Sequence, residues 1–219
     1  MIDGPRIPRW WLGPPALLIV VIVISANTAS ASDTRNGVYD GSQVLAALAT
    51  AAVLGGYALL AAALSRVPIA PALALRRPAD GRRAVLLVVA AVVLITAVSL
   101  ALEPFLHGDR DQGLTPTRGP HGHEWLVLAA ALAVLGLLTP LCEELLFRGL
   151  GFACIDRYPV PITAAAFAAA HALPALLIPV LVAGFALGEL RRRTHSLWPG
   201  VATHATINLL AIVVALLTV

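Results

Sequence analysis

Glu143 and Glu144 stand side by side in an otherwise apolar run, Leu141-Cys142-Glu143-Glu144-Leu145-Leu146-Phe147-Arg148-Gly149. A charge at the centre of a membrane helix costs about 2.5–3.5 kcal/mol on insertion scales. Three ionisable groups this close together therefore call for partners, or for a site facing the bundle interior or a water-filled cavity. Two later segments carry matching polar groups, Phe167-Ala168-Ala169-Ala170-His171 and His204-Ala205-Thr206-Ile207-Asn208. Carboxylate, imidazole and amide are the parts needed to activate a water, move its proton and stabilise a developing oxyanion. No Ser or Cys in the cluster has an evident base partner, which argues against a covalent intermediate.

Spacing assigns these groups to faces. Glu144 and Arg148 are four apart, the favourable order for a helical ion pair, whereas Glu143 points about 100° away. One glutamate is thus expected to pair with Arg148 and one to remain for chemistry; the spacing leaves open which is the base. His204 and Asn208, also four apart, share one helix face.

The elements that carry these groups belong to a membrane protein. The chain has 219 residues, 59% of them hydrophobic and 12% charged, with a mean hydropathy of +0.86. Soluble domains carry about 25% charged residues. Its length holds about seven helices of roughly 20 residues with short loops. The expectation is an all-α, polytopic transmembrane bundle forming one integral domain over 1–219, with three N-terminal helices in 1–124 and the motif-bearing core in 125–219.

The apolar stretches set the spans: Trp10–Ala29 (a retained helix rather than a cleaved signal), Ser42–Leu64, Ala84–Leu102, Trp125 to about Ile155, Pro161–Ala172, Ala175–Leu190, and Leu197 to the C-terminus. Arg66, Arg76, Arg77, Arg82 and Arg83 face one acid, Asp80, in their loop, and Arg191-Arg192-Arg193 is a second basic run. The positive-inside rule places both in the cytoplasm, with the N-terminus inside and the C-terminus outside. All fifteen basic residues are Arg, and the chain is Ala-rich, a composition that suits a GC-rich bacterial genome and an inner-membrane location. The net charge is only +3 and the Arg residues lie in loops, a pattern of topology rather than nucleic-acid binding.

Several features have plainer readings. Cys142 and Cys154 are buried hydrophobes. Glu189 precedes Arg193 by four and forms a surface ion pair. Gly184 and Gly188 allow close helix packing. His107, His121 and His123 fall in an outer loop without nearby Cys and are not read as a metal site.

Depth links the motifs. With a turn at Asp156-Arg157-Tyr158-Pro159, Glu143 lies about 18 Å up one helix and His171 about 15 Å up the next at 1.5 Å per residue. His204 and Asn208 lie roughly 15–20 Å in by the same rise. The set Glu143-Glu144-x-x-x-Arg148, Phe167-x-x-x-His171 and His204-x-x-x-Asn208 resembles the CPBP intramembrane proteases, the CAAX-protease and bacteriocin-processing family. The resemblance covers Trp125 to the C-terminus. It implies a glutamate-dependent intramembrane endopeptidase with Glu143 as general base and His171 its partner on the water. It also implies His204 and Asn208 as the oxyanion hole, and Glu144 and Arg148 in support.

The expected partners are a membrane-associated peptide or protein substrate and the lipid bilayer. No cofactor is expected. A Zn²⁺-dependent protease built on the same residues is an alternative, although there is no HExxH motif and Asn is an uncommon zinc ligand. A non-catalytic immunity or assembly factor is another. A proton-coupled transporter is a third, disfavoured because two matching halves with broken helices are absent.

Overall fold

The computed structural model describes residues 5–18, 38, 40–106, 116, 119–171 and 176–217. Among them the regular structure is entirely helical, as the apolar pattern predicts. Asp40 caps the first long helix, α1 (Gly41–Leu64), by accepting from the Ser42 backbone N–H at 2.8 Å. A single helical turn, Ile69–Ala72, follows. Asp80 accepts from the Arg83 N–H at 2.9 Å, and so α2 (Gly81–Leu106) starts three residues earlier than its apolar run. Helix α3 runs from Glu124 to Cys154 with two π-helical stretches, Val134–Leu138 and Leu145–Leu150. Then come α4 (Pro159–Ala170), α5 (Leu177–Thr194) and α6 (Trp198–Leu217).

Four of these, α1, α2, α3 and α6, are long and apolar enough to cross a membrane. Six of the seven expected spans are helices among the described residues, and two of them, α4 and α5, fall short of that length and apolarity. α4 has only 12 residues, about 18 Å at a helical rise, and α5 ends in the charged turn Glu189–Arg193. The expected Trp10–Ala29 span lies largely outside the described residues; Arg9–Leu12 forms a 3₁₀ turn and residues 13–18 are helical. α4 also begins at Pro159 rather than Pro161. Tyr158, left-handed at φ 61°, turns the chain, and a proline in the first helical turn has its ring preset and its missing N–H unneeded.

Small residues bring the helices around the glutamates close together. Ala51, Gly55, Ala58, Ala61 and Ala62 form the buried stripe of α1, and a Cβ on Gly55 would lie 2.6 Å from Cys142 Sγ. On α5, a Cβ on Gly184 would lie 2.9 Å from Ala164 Cα, and one on Gly188 would lie 3.0 Å from Val160. The GxxxG pair therefore does pack α5 onto α4, as expected.

The basic loops gather at one end of the bundle. The Leu197 N–H donates to Ala74 O at 2.9 Å, and Arg76 Nε donates to His195 O at 2.8 Å. The N-terminal segment crosses the end of α3: the Ile7 N–H donates to Ala153 O, Ile7 is buried, and Arg6 and Arg9 pair with Asp156. Arg9's hydrogen bond and Arg6's charge hold the Asp156 carboxyl below the usual carboxylate range.

Candidate active site

Helix α3 delivers Glu144 and Arg148 into the protein interior, both 0% exposed. Arg148 Nη1 donates to Glu144 Oε1 at 2.7 Å, and Nη2 donates to the Gly184 carbonyl at 3.0 Å. The guanidinium also stands 4.5 Å from the centre of the Phe167 ring. The ion pair expected from spacing is thus present, with a backbone acceptor on α5 and an aromatic face on α4 completing its surroundings.

Glu143 lies one helical step round and keeps partial exposure, 16% of its side chain. His204, on α6, faces both glutamates. Its Nε2 is 3.5 Å from Glu143 Oε2 and its Nδ1 is 3.4 Å from Glu144 Oε1. These are long contacts beside an ordinary hydrogen bond of about 2.9 Å. An imidazolium can donate to both carboxylates at once, a neutral imidazole to only one. Phe167 touches both histidines edge-on, with ring centres 5.5 Å from His204 and 4.7 Å from His171.

The three motifs do converge, but not with the contacts expected for each residue. The imidazole that meets the glutamates is that of His204. His171, at the end of α4, holds its Nδ1 against Phe167 O at 2.9 Å and forms no hydrogen bond to either glutamate among the described residues. Asn208 Nδ2 donates to Leu135 O at 2.9 Å. The cause of that bond is in the sequence. In the π stretch the Thr139 N–H donates to Val134 O, one residue further than in an α-helix. The next donor in that register is residue 140, a proline without an N–H. Leu135 O therefore lacks its helical partner, and the Asn208 side chain supplies one. This joins α6 to the helix that carries the glutamates.

Gly200 was not singled out by the sequence. A Cβ there would sit 2.7 Å from Glu144 Oε2. That carboxylate cannot swing aside freely, since Oε1 is held by Arg148 and faces His204. Gly200→Ala is expected to cost about 1–3 kcal/mol, the range for overpacking a filled interior, and to lower activity with it. Thermal unfolding in detergent checks this; a variant as stable and active as wild type would show that Glu144 can relocate.

Among the described residues, no three His, Cys, Asp or Glu side chains are grouped to hold a metal ion. His121 instead sits at the start of α3, where its N–H donates to Glu124 at 2.8 Å, and His107 lies outside the described residues.

Residues 125–210 match the family model for type II CAAX prenyl endopeptidase Rce1-like proteins. This segment is similar to the Rce1-like family. The Rce1-like segment contains Glu143, Glu144, Arg148, His171, His204 and Asn208, and it spans α3 to most of α6. No curated protein and no solved structure matches the chain. The Rce1-like family is a protease family, and the apolar helices around its segment here are those of a multi-pass membrane protein.

Proposed function

We propose that this protein is an intramembrane endopeptidase that hydrolyses a peptide bond of a membrane-associated peptide or protein with a glutamate-activated water. The observation that carries the reading is His204 set against two adjacent carboxylates, one fully buried and committed to Arg148, the other partly open. Glu143 takes the proton from water. His204 orients the Glu143 carboxylate and shares its proton. His171, across Phe167, partners the water and the leaving amine. Asn208 uses one of its two amide N–H groups on Leu135 O, and the other serves the oxyanion. Glu144 and Arg148 hold the frame.

The family's name refers to CAAX prenyl substrates. The Arg-only, Ala-rich composition points instead to a bacterial inner membrane and a peptide without a prenyl group. The basic end faces the cytoplasm by the positive-inside rule.

The test is hydrolysis of a quenched peptide library by the purified protein in detergent. Wild type should cleave, with chelator having no effect, and His204→Ala should lose about 10²-fold or more, as expected for a group acting on proton transfer. Undiminished cleavage by His204→Ala would overturn the assignment. Cleavage lost to chelator and restored by Zn²⁺ would favour the metal-dependent alternative. No cleavage by wild type under any condition would favour a non-catalytic immunity or assembly factor.

A further inference from the structure

Three consecutive arginines lie in the last turn of α5, and Glu189 pairs with only two of them. Its Oε2 lies 2.7 Å from Arg192 Nη2 and 2.9 Å from Arg193 Nε. Arg191 turns inward instead. It is 2% exposed, its guanidinium lies 5.4 Å from the centre of the Phe152 ring, and its buried Nε has no hydrogen-bond partner. No carboxylate pairs with it among the described residues. Burial, then the charge of neighbouring Arg76, push its pKa down to about 10, which leaves it cationic at neutral pH. A buried charge without a counterion is costly, and a protein that keeps one has a compensation for it.

The nearby groups do not provide that compensation. Of the carbonyls at and just beyond the C-terminal end of α3, which would attract a cation, three already have donors: Arg6 donates to Phe152 O and Ile155 O, and the Ile7 N–H donates to Ala153 O. The acids at this end are also committed: Asp156 to Arg6 and Arg9, Asp80 to the start of α2, Glu189 to Arg192 and Arg193. Arg76 adds a second positive charge, with its Nε anchored on His195 O and its own carbonyl accepting from Ser196 Oγ at 2.5 Å. Exposed Tyr158 and Trp198 stand at this same end. Tyr and Trp at the ends of membrane helices mark the headgroup level, and basic pockets between helices there suit anionic headgroups.

We propose that Arg191, with Arg76 beside it, is a binding site for the phosphate of an anionic lipid headgroup at the basic end of the bundle. The site is separate from the candidate active site and does not rest on the peptidase reading. The lipid phosphate supplies the missing counterion for an arginine that already lies over Phe152, and so steadies the end of the helix that carries Glu143 and Glu144.

The experiment is delipidation of the full chain in neutral detergent, then titration with phosphatidylglycerol, with phosphatidylcholine of the same chains, or with inorganic phosphate. Bound lipid is counted by native mass spectrometry and stability followed by thermal unfolding. Phosphatidylglycerol should bind as a single adduct and raise the Tm, and phosphatidylcholine should not. Arg192→Gln should behave as wild type, while Arg191→Gln should bind about tenfold or more weakly, the loss of a charge-assisted hydrogen bond. Equal retention of the two lipids by wild type would overturn the proposal even if Arg191→Gln fails to fold. Equal phosphatidylglycerol binding by folded Arg191→Gln would overturn it as well. Stabilisation by inorganic phosphate with none by lipid would refute the headgroup assignment.

Discussion

Arg148→Met should destabilise the protein by about 3–5 kcal/mol, the range for breaking a buried ion pair by removing one partner. The substitution keeps an unbranched side chain of similar reach and removes the charge. It leaves the Glu144 carboxylate, 0% exposed, with only the long His204 contact, and leaves the Gly184 carbonyl without its donor. The double variant Glu144→Gln with Arg148→Met removes both charges and should recover most of the loss, because desolvating an ion pair offsets much of its Coulomb attraction. Denaturant unfolding in mixed micelles of wild type, both single variants and the double variant gives the coupling energy directly. A single-variant cost below about 1 kcal/mol, the level of an exposed pair, would mean that the pair is not sealed from water. Hydrolysis should fall in the single and the double variants alike, since both disturb the position of the helix segment bearing Glu143.

Much of this arrangement was legible in the residues. The Glu144–Arg148 pair follows from a four-residue spacing, and the Gly184/Gly188 packing follows from a small-residue repeat. Both are local regularities of one helix. The convergence of Glu143 with His204 was legible as depth, because rise per residue is nearly constant. What spacing could not supply was rotation. Each π stretch inserts an extra residue into a turn of α3 and so turns the helix beyond it. Depth alone likewise did not separate His204, which meets the glutamates, from His171, which bonds to Phe167 O. Pro140 is the one visible sign of the first π stretch, and it also accounts for the bond from Asn208 to Leu135. Gly200 was missed because a glycine that makes room for a carboxylate 56 positions away in the chain has no local pattern. The apolar runs expected at Pro161–Ala172 and Ala175–Leu190 do form helices, α4 and α5, but hydropathy alone did not show that α4 would have only 12 residues.

The two adjacent glutamates should separate cleanly on substitution. Glu143→Gln retains the shape and an oxygen that can accept from His204, but an amide cannot take a proton from water. Peptide hydrolysis should fall about 10²–10⁴-fold, the usual worth of general base catalysis, with unfolding close to wild type because Glu143 keeps contact with solvent and has no buried ion pair to lose. Glu144→Gln should do the opposite to stability: it strands Arg148, a fully buried guanidinium, beside a neutral amide. Its loss of activity should therefore accompany a loss of fold and be partly restored at lower temperature. Comparing hydrolysis and unfolding of the two variants over the same temperature series distinguishes a base from a structural anchor. If Glu144→Gln were stable and inactive while Glu143→Gln still cleaved, the roles of the two carboxylates would be exchanged, and the ion pair with Arg148 would be part of the chemistry rather than its support.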